Sequence, residues 1–181
     1  MRAKRLFVSL DLPESIADAL VRQDPGLKGV RWLSAEQIHL TLAFLGQVEA
    51  REEEILRGHL SAIRFHSFFL PLHGLGTFPA KRSPRILWLG VGQGHPHLFQ
   101  LHKKVIDAAL RAGLKPDLRP WHPHITLARC ERISEASLRP FLREHEAFDL
   151  GMVPITAFAL KSSLLTPAGS VYTNEAVVVA S

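Results

Sequence analysis

The sequence predicts an α+β fold: two similar lobes related by an approximate twofold, with largely antiparallel sheets lining a central cleft and helices outside. Three observations predict it. Strand-like and helix-like runs alternate too quickly for long parallel crossovers throughout. The order of elements restarts after a loop rich in Pro and basic residues, Pro79 to Pro84. One four-residue pattern, His-aliphatic-Thr-Leu, occurs once in each half. With 181 residues, 46 % hydrophobic and 22 % charged, the chain has the apolar material for one domain, 1–181, or two small lobes sharing a core. The lobes are expected at roughly 1–80 and 81–181, with exchange of strands between them left open.

The elements follow in order. Arg5 to Asp11 reads as a strand, and Pro13 then suits a first helical turn ahead of Ile16, Leu20 and Val21 at helical spacing. Ile38 to Leu45 is a β-rich run ending at Gly46. Glu52, Glu53 and Glu54 next favour the positive end of a starting helix, whose buried face is Leu56, Leu60 and Ile63. Phe68 to Phe78 reads as one extended segment interrupted by Gly74 and Gly76. In the second half, Arg85 to Val91 is a strand. Leu98, Leu101, Val105 and Ala109 give a helical stripe from about Pro96 to Arg111, stopped by Gly113. His124 to Cys130 is the next strand, a short helix opened or kinked by Pro140 follows, and two last strands are expected near Val153–Ser162 and Ser170–Val179.

Composition narrows the function classes. The apolar run near the N-terminus ends at Asp11, far short of a signal or spanning segment, so a cytoplasmic protein is expected. The single cysteine, Cys130, excludes an intrachain disulfide and argues against a thiolate cluster or redox pair; it is expected as a small buried strand residue. The net charge of +5 suits a partner that carries phosphates. Contributors are Arg2, Lys4, Arg5, Lys81, Arg82, Arg85, Arg129 and Arg132, each by default a solvated surface charge.

The chemistry lies in His39-Leu-Thr41-Leu42 and His124-Ile-Thr126-Leu127, whose histidines are 85 positions apart. In random order this composition gives roughly 0.01 copies of the pattern, so two copies are not accidental. Strand alternation puts each His and its Thr on one face and the aliphatic residues on the other. If the two strands are equivalent, they lie side by side at the lobe junction and their motifs face one cleft. Hydrolysis of a cyclic phosphate needs one group to take a proton from water and another to give one to the departing oxygen. Two imidazoles with ordinary pKa near 6.5 can do both, each contributing about 10² to 10⁴ in rate. The threonine hydroxyls can donate to non-bridging oxygens as charge shifts, and no metal is needed.

On these residues the chain resembles the two-histidine (2H) phosphoesterases, in particular the RNA 2′,3′-cyclic phosphodiesterases, also called 2′-5′ RNA ligases. The resemblance runs nearly end to end, through Arg5-Leu-Phe-Val-Ser-Leu10, Val30-Arg-Trp-Leu33, His39-Leu-Thr-Leu-Ala-Phe-Leu-Gly46, Phe78-Pro79, Pro84-Arg-Ile-Leu-Trp-Leu-Gly90, Pro123-His-Ile-Thr-Leu-Ala-Arg129, and Ser163, Leu165, Gly169 and Tyr172 near the C-terminus. Ser9 stands where alanine is commoner in the family. The resemblance implies a bilobal α+β fold and opening of a terminal 2′,3′-cyclic phosphate on RNA to a 2′-phosphate, with a reverse 2′-5′ joining reaction and without metal or other cofactor. It implies that His39 protonates the leaving 3′ oxygen and His124 activates water. Thr41 and Thr126 would hold phosphate oxygens, Arg129 would add positive charge, and Phe7, Phe44 and Tyr172 would contact the terminal base or sugar. The expected partner is RNA, with no membrane and no obligate protein partner, and the expected state is a monomer.

Strand geometry resists two of these roles. Phe44 and Arg129 each lie five residues beyond their histidine and should face the opposite side, unless a bulge or strand end turns them back. Trp32, Trp88 and Trp121 are expected in the core, and His95-Pro96-His97, which lacks the threonine, is expected to cap the following helix. Three other readings stand beside the phosphodiesterase. A metal site could be built from His39, His122 and His124; the chain could be a non-catalytic RNA-binding module; or its substrate could be a small cyclic phosphate of cyclic nucleotide or cyclic ADP-ribose type.

Overall fold

The computed structural model describes residues 3–80, 83–92 and 95–181, so Arg2, Lys81 and Arg82 lie outside the described residues. Its strands and helices alternate as the hydropathy pattern requires. In order they are β1 (Lys4–Asp11), α1 (Glu14–Val21), β2 (Val30–Trp32), a 3₁₀ turn (Ala35–Gln37), β3 (His39–Val48), α2 (Ala50–Ser61), β4 (Phe68–His73) and β5 (Leu75–Phe78). Then come β6 (Ile86–Gly90), α3 (Pro96–Arg111), β7 (His124–Cys130), α4 (Glu135–Glu144), β8 (Asp149–Ile155), β9 (Ala157–Thr166) and β10 (Gly169–Val179).

Most expected elements form, and the differences have local causes. Phe68 to Phe78 is two strands in two sheets, because the backbone turns at Gly74, where φ is +78°. The last segment is three strands rather than two. Glu49 caps α2 reciprocally with Glu52, and Leu56 and Leu60 are fully buried beneath it. α3 ends where expected, with Gly113 at φ +82°. Pro140 lies inside α4 and does not open it. His95 stands at the start of α3 but its side chain makes no cap bond; it stacks on Phe68 at 5.2 Å instead.

The main sheet runs β10-β9-β1-β3-β7-β6-β5, with β2 also on β7, and all of these pairings are antiparallel. A second sheet pairs β4 with β8. The two sides of the sheet are not the two halves of the chain. The C-terminal hairpin β9-β10 extends the side built on β1 and β3, whereas β2 and β5, from the first half, extend the side built on β6 and β7. The core contains Leu40, Leu42, Ile125 and Leu127 from the motif strands and Leu98, Leu101 and Val105 from α3. A cross-strand network holds the far edge: Lys4 of β1 and Arg57 of α2 both pair with buried Glu53 and with Glu175 of β10.

β3 and β7 carry the same irregularity at the same place. Opposite β1, the register steps from Ser9–Thr41 to Val8–Ala43, so Leu42 has no partner. Opposite β6, it steps from Trp88–Thr126 to Leu87–Ala128, so Leu127 has none. Each is a bulge at the leucine that ends the four-residue motif. The carbonyls left over are satisfied from outside these ladders, since Leu127 O accepts from Leu33 N–H at 2.8 Å and Leu42 O accepts from His102 Nδ1–H at 2.9 Å. His102, on α3, is itself covered by Trp121, whose ring stacks on it at 3.9 Å. Replacing His102 with Leu leaves the carbonyl of a buried residue without its donor. We expect a loss of about 1–3 kcal/mol in chemical denaturation, largely restored by His102→Gln, which keeps an N–H donor.

Candidate functional site

β3 meets β7 at Leu40 and Ile125, both fully buried on the core side. Continuing that antiparallel register by one residue sets His39 opposite Thr126 and Thr41 opposite His124. The two motifs are therefore brought together on one face of the sheet at the junction of its two sides, each histidine beside the other's threonine.

The imidazoles are held alike. His39 Nδ1–H donates to the carbonyl of Gln37 at 2.8 Å, and His124 Nδ1–H donates to the carbonyl of His122 at 2.8 Å. In both, the acceptor is the backbone two residues earlier, which leaves Nε2 as the ring nitrogen not tied to the backbone. His39 Nε2 accepts from the Thr41 hydroxyl at 3.1 Å. Gln37 is fixed in turn, because its side chain bonds Ser34 N–H and donates to the carbonyl of Ser170 on β10 at 2.8 Å.

Each histidine also has an aromatic surround. Phe7 and Tyr172 lie 5.0 and 5.3 Å from the His39 ring and pack edge to face on one another at 5.0 Å. Phe78 and Trp88 lie 5.1 and 6.4 Å from His124. Trp88 is thus beside the second motif rather than in the core, while Trp32 packs against Phe141 and Trp121 against His102, both only half-buried.

The bulges settle the geometry of Phe44 and Arg129. One extra residue in β3 and one in β7 shift the alternation by one position, so the fifth residue after each histidine returns to the motif face. Phe44 is 62 % exposed with its ring 6.4 Å from Phe7, and Arg129 is exposed opposite Arg31 of β2. Cys130 is buried on β7, as expected. Of the basic residues named from sequence, Lys4 is committed to Glu53 and Glu175, whereas Arg5, Arg85 and Arg132 are exposed.

Sequence reasoning missed Lys161 and Asp11. Lys161 is buried on β9, and its Nζ donates to Asp11 Oδ1 at 2.6 Å, Asp11 being the partner of His39 in the β1–β3 register. The available signal was a lone charge directly after the apolar strand run Ala157 to Leu160. It also missed Arg31 and the anchoring role of Gln37 and His122, which rests on backbone carbonyls and so leaves no mark in residue type. Among the described residues, no three His, Cys, Asp or Glu side chains are grouped to hold a metal ion, so His39, His122 and His124 are not assembled as ligands.

The electrostatics follow from this packing. Burial, then the positive charge of Lys161, pulls the His39 pKa from its ordinary 6.5 to about 4, against smaller upward pulls from Asp11 and the Gln37 carbonyl. His124 is also lowered, mainly by burial, with the His122 carbonyl opposing. Both rings are therefore neutral in the free protein at pH 7, each with Nδ1 protonated and Nε2 bearing its lone pair. This arrangement can take up a proton at one Nε2 and release one at the other, with the Thr41 and Thr126 hydroxyls on the same face and Arg129 further along it.

A family model described as LigT like Phosphoesterase matches the chain twice, over residues 10–88 and 89–172. The chain belongs to that family, and the double match falls on the two halves that carry the two motifs. It is 31 % identical to the RNA 2′,3′-cyclic phosphodiesterase of Aquifex aeolicus, over 96 % of this chain and 95 % of that one. It is 30 % identical to the enzyme of the same name from Archaeoglobus fulgidus, over 93 % and 96 %. Among solved structures, apo LigT of E. coli superposes with a TM-score of 0.82 at 29 % identity, covering 100 % of this chain and 99 % of that one. The same E. coli protein complexed with 3′-AMP gives 0.80 at 30 % identity over 99 % of each. The α+β, two-sided antiparallel architecture with outer helices is that of these relatives.

Three measurements test the site. The His39 ring, followed by NMR, should titrate near pH 4 in the free protein and move upward when inorganic phosphate binds. Because folding holds this pKa below its unfolded value, the unfolded chain binds more protons between about pH 6.5 and 4, and stability falls as pH falls through that window. His39→Asn should abolish a loss on the order of 3 kcal/mol, read as a flatter dependence of denaturation midpoint on pH. Separately, a Cβ on Gly76 would lie 2.2 Å from the Trp88 ring, so Gly76→Ala must displace Trp88 and should alter its fluorescence and the His124 ring shifts.

Proposed function

We propose that this protein is an RNA 2′,3′-cyclic phosphodiesterase, which opens the terminal cyclic phosphate to a 2′-phosphate by two-histidine acid–base catalysis and can run the reverse 2′-5′ joining. The observation that carries the reading is the pair of identically anchored imidazoles set on one face of the sheet at the β3–β7 junction. The names of the relatives and the 3′-AMP complex of the E. coli protein support a substrate that carries a nucleotide.

In this reading His124 Nε2 takes a proton from the attacking water and His39 Nε2 gives one to the departing ribose 3′ oxygen. One P–O bond forms and one breaks, one water is consumed, and solvent resets the two protons. His39 is neutral in the free protein, so it gains its proton as the phosphate anion binds and lifts its pKa. The Thr41 hydroxyl, released from His39 Nε2, and the Thr126 hydroxyl donate to the non-bridging oxygens. Arg129 adds positive charge, and Phe7, Phe44 and Tyr172 line the wall on which the terminal base or sugar rests. The chemistry uses no metal. The whole chain acts as one domain, a cytoplasmic monomer with RNA ends as its partner.

The test is incubation of an oligoribonucleotide ending in a 2′,3′-cyclic phosphate with the protein and a chelator. A 2′-phosphate product, unaffected by chelator, is expected, and a 3′-phosphate would contradict the proposed leaving group. His39→Ala or His124→Ala should each lower kcat/KM by roughly 10² to 10⁴, with Thr41→Val and Thr126→Val less severe. Faster turnover of mononucleotide 2′,3′-cyclic phosphates than of oligonucleotides would move the substrate to a small cyclic phosphate.

A further inference from the structure

Lys161 is a buried charge on the same face of the sheet as the two motifs. The Lys161 side chain is 8 % exposed, and its ammonium hydrogen-bonds one partner, Asp11 Oδ1, at 2.6 Å. A buried ammonium is costly to hold, and this one is not paired in a fully enclosed bridge, because the Asp11 side chain is 45 % exposed. Its surroundings point to the motif face. In the β1–β9 register Lys161 lies opposite Phe7, whose ring packs on His39, and Asp11 lies opposite His39 in the β1–β3 register. Ser9 Oγ also reaches Asp11 Oδ1, at 3.5 Å. The charged and titratable groups that face His39 are therefore Asp11 of β1, Lys161 of β9, Tyr172 of β10 and His124 of β7.

We propose that the Lys161–Asp11 pair is a positioning device for His39, a fixed dipole of opposite charges that makes proton uptake at His39 depend on the arrival of the substrate's phosphate. The inference rests on the phosphodiesterase reading for its catalytic consequence, but its structural content concerns the free protein. Lys161 opposes a positive imidazolium, and Asp11 favours one. Packed together beside the ring, they leave His39 neutral until an anion arrives in the cleft to offset the ammonium. The acid is thus absent from the empty site and forms beside the departing alkoxide only once the anion is bound. The pair also ties β9 to β1 on the side of the ring away from β7, so the cation is fixed relative to the strand that carries it.

The experiment is titration of the His39 ring by NMR in the free protein, comparing wild type with Lys161→Met, Lys161→Arg and Asp11→Asn. Lys161→Met should move the His39 midpoint upward by ~0.5 pH unit or more, and Asp11→Asn should move it downward. Lys161→Arg, which keeps the charge, should leave it close to wild type and serves as the folded control if the Met variant is unstable. In the same variants, the pH at which the limb of kcat/KM assigned to His39 turns should move in the same opposite directions. A merely structural pair would change melting temperature without this signed pattern. Midpoints that stay put in both charge-removing variants, or that move the same way, overturn the inference. Absence of RNA turnover in wild type would overturn the phosphodiesterase reading and leave the titration result intact.

Discussion

The structure depends on one strand contact. β3 and β7 come from opposite halves of the chain, and their meeting at Leu40 and Ile125 turns two distant motifs into one site. The pair is apolar and fully buried, so ordinary core packing fixes the register. A one-residue slip of either strand would carry its histidine to the core face and its buried aliphatic residue to the motif face, parting the two motifs. The functional geometry is thus enforced by the hydrophobic face of the same strands that display it.

The matched bulges at Leu42 and Leu127 extend this logic. They let one strand serve two demands, with His and Thr at alternate positions toward the cleft, then two successive buried residues, then a further cleft-facing residue at Phe44 or Arg129. Because each bulge leaves a carbonyl outside its ladder, its stability depends on a donor from elsewhere, Leu33 N–H in one case and the His102 ring in the other. The two halves solve the same problem with unlike parts, and they have also come to carry unlike side chains at the re-phased position, an aromatic ring on one side and a cation on the other.

The site's charge pattern is asymmetric although its backbone is nearly twofold. Both imidazoles are anchored through Nδ1 to the carbonyl two residues back, but only His39 sits beside a buried ammonium and its carboxylate partner. The hairpin β9-β10, which brings Lys161 and Tyr172, adds to one side of the sheet only. In the proposed mechanism an acid and a base need different environments, and this C-terminal addition gives the two motif strands different neighbours.

The sequence by itself determined the strands and helices with strong periodicity, the repeat, and the four motif residues, since His39, Thr41, His124 and Thr126 are legible as residue type at strand spacing. It also held the conflict over Phe44 and Arg129 without resolving it, because a bulge is a property of pairing between strands and leaves the residue pattern unchanged. Only the tertiary structure decided that β9 and β10 extend the sheet from β1 on the side of the first motif strand, that Trp88 flanks His124 while Lys161 pairs with Asp11, the strand partner of His39, and that Gln37 and His122 orient the rings through their carbonyls. Local sequence encodes which face of a strand is apolar. Which strand lies beside it, and so which charge a buried imidazole feels, is set by contacts between residues far apart in the chain.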